Sequence, residues 1–280
     1  MFPIDRQRGF PYNDNILEQG GGDVRQLTFR LAWAFFACLL VVSMLFTAKP
    51  YLPTEAPVDH HAPVVTVPEP PTADEPELPD NPVDFAALQA EFPEAVAWIR
   101  VPAADGGKPI IDFKVMQSGE DTPEDFYLNH NDQGTNSDHG AIYIQKYNFA
   151  DFTDPNTIVY GHNIKGGKMF GVIHKFKDKE YFNKHEYLYV YTPGHVLTYR
   201  IYALFDYGER HLLWAYDFTT DEGRQKFINK TLKPGTYNRL VREGVTPTPA
   251  DRLITLSTCQ NTGNGRLLLV AMLVEDTETK

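Results

Sequence analysis

The sequence of 280 residues has only two cysteines and no cluster of lysine and arginine. Two cysteines cannot staple a disulfide-rich scaffold, and they do not provide the closely spaced pairs that a cysteine-based zinc site needs. The formal charge is −11, from 26 Lys and Arg against 37 Asp and Glu. Without a basic face, a protein cannot follow the phosphates of a nucleic acid. Internal repeats are also absent, and the composition of 42% hydrophobic and 22% charged residues is that of a folded protein.

One long apolar run is present near the N-terminus, from residue 31 to residue 48, and it carries no charge. At about 1.5 Å per residue, a helix of this length spans roughly 27 Å, close to the hydrocarbon thickness of a bilayer. The apolar stretch of a cleaved signal peptide is usually shorter, and a buried helix would carry polar residues at a helical period. We therefore expect a transmembrane anchor over 31–48, with a cleaved signal peptide and a buried helix as the alternatives.

The charges beside this run predict its orientation. Arg25 and Arg30 precede it closely, whereas Lys49 alone follows it closely. The positive-inside rule then places residues 1–30 in the cytoplasm as a short tail. The expected location is the cell membrane, with a single pass and with everything after Lys49 outside the cell.

The segment 49–83 differs in composition from the rest of the chain. It contains ten prolines and seven acidic residues, and Lys49 is its single basic residue. Such a segment cannot pack a core and repels itself, so it is predicted to be an extended stalk. The adjacent His60 and His61 in it are interpreted as solvated side chains and not as a metal site. The remaining residues, 84–280, are predicted to form one domain.

The pattern of the outer domain changes from helical to strand-like near its start. Apolar residues at helical spacing predict a pair of short helices over Asp84–Ile99, broken at Pro93. Seven predicted strands follow, each short and rich in β-branched or aromatic residues: Ile110–Val115, Ala141–Ile144, Thr157–Tyr160, Glu186–Thr192, Val196–Phe205, Arg252–Thr258 and Leu267–Val274. Pro193 and Gly194 suit a type II turn between two of them, and Asp221–Leu232 is predicted to be a surface helix. This fold class is mainly β, as a closed barrel or a sandwich.

Cys259 stands where a predicted strand ends. The residues after it include the turn-formers Asn261, Gly263 and Gly265. Because Cys38 lies inside the apolar run, Cys259 has no partner for a disulfide, and an unpaired cysteine in an exported domain suggests a reactive thiol. A buried structural cysteine is the alternative, but the strand-end position favours a nucleophile.

Two further polar residues are expected near this thiol. Arg266 heads the apolar strand that follows Cys259, so pairing of the two strands brings both residues to one end of the sheet. His162 follows another strand end at Gly161. A thiol nucleophile needs a proton partner and a stabiliser of charge, and these are the residue types for those tasks. Six other histidines have no such context and are interpreted as structural: His130, His139, His174, His185, His195 and His211.

These motifs resemble those of the sortases, and among them the class B sortases. Thr255–Cys259, with the sequence TLSTC, is similar to the family's cysteine signature, and Ser257 stands in its variable place as in class B. Arg266 resembles the essential arginine. Further segments resemble the family's pattern around the histidine and at the domain start: Tyr160–Asn163, Met169–Gly171, Asp125–His130 and Trp98–Pro102. The predicted helix Asp221–Leu232 lies where class B members carry an extra helix, whereas the loop between Cys259 and Arg266 is shorter than in many relatives.

The resemblance implies a closed eight-stranded β-barrel of the sortase type, with N-terminal helices and an extra surface helix. It also implies a cysteine transpeptidase that needs no cofactor or metal. Cys259 would attack the threonine carbonyl of a C-terminal sorting signal and form a thioacyl-enzyme, while His162 handles the proton and Arg266 stabilises the oxyanion. The implied partners are the sorting signals of exported surface proteins and a cell-wall peptide amine as acceptor. By the same resemblance, Ser257 and Leu128 line the substrate groove.

Other functions remain as alternatives. An L,D-transpeptidase would show a His-Gly-Cys cluster and a papain-like peptidase a Cys-Trp dipeptide, and neither occurs in the sequence. A sortase that polymerises pilins is the main alternative within the family. A membrane-anchored surface module with a degenerate site is the non-enzymatic alternative, and it would require that Cys259 resist thiol reagents.

Overall fold

The computed structural model describes residues 77–261 and 263–280. The predicted tail over 1–30, the predicted anchor over 31–48 and most of the predicted stalk lie outside the described residues. Within the described ranges, no helix has both the length and the apolar character needed to cross a bilayer.

The first element is a single helix, α1 (Phe85–Glu91), and not the predicted helix pair. Its start is as expected, because the side chain of Asp84 accepts a hydrogen bond from the backbone N–H of Ala87. The chain then leaves the helix at Phe92, ahead of Pro93, and continues as strand β1 (Ala95–Val101), so the prediction of a second helix was wrong. Buried and half-buried residues alternate along β1, which is the period of a strand and not of a helix.

Ten more strands follow in the described residues, and all seven predicted strands are among them. β8 and β11 are the longest, with 13 residues each. The bounds are β2 (Ile111–Gln117), β3 (Tyr143–Ile144), β4 (Asn156–Tyr160), β5 (Asn163–Ile164), β6 (Lys168–Met169), β7 (Tyr187–Thr192), β8 (His195–Tyr207), β9 (Arg239–Val241), β10 (Leu253–Cys259) and β11 (Arg266–Glu278).

Short helices occupy the connections between these strands. The predicted surface helix is confirmed as α4 (Asp221–Leu232), which Thr220 caps through the N–H of Gly223. The predicted turn between β7 and β8 has Gly194 at a φ of +82°, a conformation that suits glycine in a type II turn. The remaining helices are two 3₁₀ helices, Phe126–Leu128 and Phe170–Lys177, and the α-helices α2 (Lys179–Lys184) and α3 (Leu212–Ala215).

Eight of the strands close into a barrel. Their hydrogen-bonded order is β8, β11, β10, β4, β3, β2, β1, β7 and back to β8. The short strand β9 pairs with the second half of β8, on the same edge that pairs with β7 in its first half. The pairs β4–β10 and β2–β3 are parallel, and the other barrel pairs are antiparallel. This closed eight-stranded barrel confirms the predicted fold class and decides against a sandwich.

The two faces of β11 bury two different cores. Side chains alternate along a strand, so Leu267 and Leu269 point into the barrel, where the largest core lies. Leu268 and Val270 point outward and pack in a second core together with Phe227 of α4.

The first described residues are fastened to the C-terminus. Asn81 Nδ2 donates hydrogen bonds to the carbonyl of Thr192 at 2.9 Å and to Thr279 Oγ1 at 3.0 Å. The backbone N–H of Lys280 donates to the carbonyl of Pro79. These contacts lie where β7 and β11 end and β8 begins, which is the end of the barrel remote from Cys259.

Candidate active site

The pairing of β10 with β11 brings Cys259 and Arg266 together. They are directly opposite each other in the register of the two strands, and Arg266 Nη1 lies 3.6 Å from Cys259 Sγ. Gln260 closes the loop between them, because its N–H donates to the carbonyl of Gly265 and its Nε2 to that of Arg266. The sheet and this loop therefore set the distance from the guanidinium to the sulfur, and Cys259 is half-buried and unpaired.

His162 reaches the same end of the barrel from β4. Ser257 of β10 is in register with Tyr160 of β4, and the N–H of Gly161 donates to the carbonyl of Ser257 at 3.1 Å. His162 follows the end of β4 by two residues, and Cys259 follows Ser257 by two residues at the end of β10. The three residues predicted to act together thus share one end of the barrel, where strands β4 and β10 finish and β11 starts.

A backbone carbonyl orients the imidazole of His162. Its Nε2 lies 2.7 Å from the carbonyl oxygen of Leu128, and a carbonyl can only accept a hydrogen bond, so Nε2 carries the proton. Nδ1 is then the nitrogen that can exchange a proton with a reactant. Gly140 makes room for this arrangement with a φ of +58°, because a Cβ there would lie 2.6 Å from the carbonyls of Tyr127 and Leu128 and 3.1 Å from His162 Cδ2.

A cavity of about 80 Å³ opens beside Arg266 on the outer face of the sheet. Ser257, predicted to line the substrate groove, is among the residues that line this cavity. Leu128, predicted to line the groove, contributes its carbonyl to His162, and its side chain packs against a third small core that includes Tyr127 and Tyr143. The other residues that line the cavity are Tyr160, Tyr207, Glu209, Arg210, His211, Leu212 and Leu268.

A second cavity of about 640 Å³ adjoins the first. Tyr207 and Arg210 line both cavities, and Gln260, which follows Cys259, lines the larger one. Cys259 itself lines neither cavity, whereas its neighbours Arg266 and Gln260 line the smaller and the larger one respectively. Within residues 77–261 and 263–280, no group of three His, Cys, Asp or Glu side chains is arranged to hold a metal ion.

Two histidines that sequence reasoning interpreted as structural contact the site. His211 lines the smaller cavity, with its Nε2 2.7 Å from Gln145 Oε1 and 3.4 Å from the hydroxyl of Tyr160. His174 Nε2 lies 3.0 Å from the carbonyl of Cys259. Burial lowers the pKa of both histidines and so favours the neutral rings. Both come from segments far from Cys259 in the sequence, and no local motif indicates the contact.

Burial also determines the protonation state of two phenols near the thiol. Burial is the largest effect on Tyr160 and Tyr143, and it raises the pKa of each phenol well above its ordinary value. Their rings stack with centroids 5.4 Å apart. Both hydroxyls therefore stay protonated and can donate hydrogen bonds at the site.

Comparison with known proteins agrees with this architecture. The sortase domain family matches residues 99–274, which is more than half of the chain. Sortase B of Listeria monocytogenes is 28% identical over 192 residues, covering 67% of this chain and 72% of that protein. The crystal structure of Clostridium perfringens sortase B is similar with a TM-score of 0.58 and 30% identity, covering 68% of this chain and 100% of the other. Sortase B of Bacillus anthracis, in complex with AAEK1, has a TM-score of 0.58 and 29% identity, covering 68% and 84% of the two chains.

The fold and the match over residues 99–274 define a class of enzyme, the cysteine transpeptidases of the sortase type. The chain belongs to the sortase family, and its relatives and structural neighbours place it in class B.

Proposed function

We propose that this sortase is anchored in the membrane by residues 31–48 and joins exported surface proteins to the cell wall. Its substrate would be a C-terminal sorting signal, cleaved after a threonine, and its acceptor an amine of a cell-wall peptide. The observation that carries the proposal is the guanidinium of Arg266 at 3.6 Å from Cys259 Sγ. A fixed donor beside a thiol suits the negative charge that develops when a thiol adds to a carbonyl.

The proposed reaction begins when Cys259 Sγ bonds to the threonine carbonyl carbon. The carbonyl oxygen becomes an oxyanion, which Arg266 stabilises. Once Sγ has bonded to carbon, His162 Nδ1 holds the proton of the thiol, and it passes this proton to the leaving nitrogen. The peptide C–N bond breaks, and a thioacyl-enzyme remains together with a free C-terminal fragment.

The second half of the proposed reaction reverses these roles. The incoming amine gives its proton to His162 and bonds to the acyl carbon, the C–S bond breaks, and Cys259 is regenerated. One cavity is lined by Arg266 and the other by Gln260, and two spaces beside these residues suit a reaction with two substrates. A pilin-polymerising sortase differs only in taking its acceptor amine from a protein, so the choice of acceptor separates the two functions.

Mass spectrometry of the full-length protein in detergent tests the proposal. The protein is incubated with peptides whose motifs end in Thr-Gly or Thr-Asn, with and without triglycine as the amine. We expect an adduct on Cys259 equal in mass to the acyl fragment, and its transfer to triglycine. If Cys259 alkylates readily with iodoacetamide but no peptide reacts, the proposed substrate is wrong. If Cys259 does not alkylate, the non-catalytic module replaces the proposal.

Replacing Arg266 by lysine is expected to lower kcat for peptide cleavage by about 10²–10³-fold. A lysine ammonium is a single point of charge, whereas the guanidinium presents a planar fork of donors that also holds the carbonyl of Asn264. Arg200→Lys is the matched control, because Arg200 pairs with Glu186 away from the thiol. A near-normal kcat in the Arg266 variant would exclude the oxyanion role.

A further inference from the structure

The backbone carbonyl of Cys259 lies beyond the end of β4, the strand whose N–H groups would otherwise donate to it. Carbonyls two residues apart on a strand point the same way, and the carbonyl of Ser257 points to β4, where it accepts from Gly161. Cys259 would accept from the next donor along β4, but β4 ends at Tyr160 and the chain turns away. This turn brings His162 to the site, so the missing backbone donor is a direct result of how the site is built.

His174 supplies a donor in that place. Its Nε2 is 3.0 Å from the Cys259 carbonyl oxygen, and because a carbonyl only accepts, Nε2 bears the proton. Nδ1 is buried and has no hydrogen-bond partner in the described part of the chain. A proton on Nδ1 would therefore be buried without an acceptor, which agrees with the neutral ring that burial favours.

The element that carries His174 is held firmly. His174 belongs to the 3₁₀ helix Phe170–Lys177, and Phe170, Ile173 and Phe176 of this helix are fully buried in the barrel core. The same helix begins where the N–H of Phe170 donates to the carbonyl of His162. One rigid segment thus contacts the backbone of both residues that perform the proposed chemistry.

We propose that His174 is a positioning residue, whose Nε2–H replaces the missing strand donor and holds Cys259 in register with Arg266. This inference rests on the proposed function of Cys259 as the nucleophile. His174 touches neither substrate nor the reacting atoms, and its effect passes through the backbone of Cys259. Two charged groups lie near the ring, and Lys177 lowers its pKa whereas Asp206 raises it.

The test compares a variant without the donor with one that keeps it. His174→Leu removes the hydrogen bond, and His174→Gln retains an amide donor at nearly the reach of Nε2. We expect His174→Leu to lower kcat about five- to ten-fold, the effect of one hydrogen bond, with KM within about two-fold of the wild type. His174→Gln should recover most of kcat. The rate at which iodoacetamide alkylates Cys259 should follow kcat.

A matched control separates positioning from general stability. His185 also bonds a backbone carbonyl, with Nδ1 2.8 Å from the oxygen of Tyr181, and it is 7% exposed. His185→Leu should lower the melting temperature, yet the folded protein should keep the wild-type kcat. If His174→Leu does not fold, His174→Asn, whose amide is too short to reach the carbonyl, takes its place with the same expected loss.

The outcomes distinguish this inference from the proposed function. A wild-type kcat in His174→Leu, or an equal loss in the Gln and Leu variants, would overturn the positioning role while leaving Cys259 as nucleophile. Retained cleavage in Cys259→Ala would instead overturn the proposed function, and the inference with it. A loss in His174→Leu, recovery in His174→Gln and an unchanged control support the inference.

Discussion

Cys259→Ala is expected to abolish cleavage of sorting-signal peptides, with a loss of kcat of at least about 10³-fold. Without the sulfur there is no nucleophile to form the acyl-enzyme, and the hydrogen bonds that remain can only bind the peptide. The side chain is half-buried at the end of β10, so its truncation leaves little empty space and the melting temperature should change by only a few degrees. Peptide cleavage followed by chromatography measures the loss.

The other cysteine provides the matched control. Cys38→Ala removes the one remaining thiol in the sequence, and this variant should cleave and form the acyl adduct as the wild type does. Cleavage by Cys259→Ala above the rate without enzyme would show that another group attacks the peptide. If the acyl adduct disappears in Cys38→Ala, then Cys38 and not Cys259 is the residue that is acylated.

His162→Ala is expected to lower kcat by about 10²–10⁴-fold, the usual contribution of a general acid and base. The leaving nitrogen then departs without a proton, and the incoming amine keeps the proton that it has to lose. KM should change little, because the imidazole is held by the carbonyl of Leu128 and is not a principal wall of the cavity. Steady-state kinetics over a range of peptide concentrations separates kcat from KM.

His139→Ala is the control for this variant. His139 is exposed and lies one residue before Gly140, which is under the His162 ring, so it tests for disturbance of the neighbouring loop. Equal losses in the two variants would remove the assignment of His162 as the proton carrier. His174 is unsuitable as a control, because it contacts the carbonyl of Cys259.

Local patterns were sufficient for the elements that carry the proposed chemistry. β4, β10 and β11 were predicted because each is a short apolar run that meets a polar residue at one end. Cys259 and Arg266 lie on consecutive antiparallel strands, where chain connectivity itself brings the two residues together. For α4, the cap at Thr220 and the helical composition agree, and the predicted bounds are those of the structure.

β1 shows where local patterns are ambiguous. One set of apolar residues has the period of a helix: Phe85, Leu88, Phe92, Val96 and Ile99. A second set has the two-residue period of a strand equally well: Ala95, Ala97, Ile99 and Val101. Pairing with β2 on one side and β7 on the other buries the alternating set completely. A contact between segments far apart in the chain decided the structure, and a short window of sequence does not contain it.

The parts of the site that sequence reasoning missed depend on such long-range contacts. The hydrogen bond to His162 comes from a backbone carbonyl, that of Leu128, and every residue carries an equivalent group. His174 and His211 gain their significance from the Cys259 carbonyl and from Tyr160. The contact of His174 with the Cys259 carbonyl can be recognised only when the position of the end of β4 is known.

The fastening of the first described residues to the C-terminus has a mechanical consequence. A pull on the chain ahead of Glu77 would load the hydrogen bonds of Pro79 and Asn81 before it reached β1. Those bonds lie at the start of β8, and the 13 residues of that strand put roughly 40 Å between them and its other end, beside the thiol. β1 itself is four strands away from β10 whichever way the barrel is followed. A pull on the chain ahead of Glu77 would therefore strain first the end of the barrel remote from Cys259, where β7 and β11 finish and β8 begins.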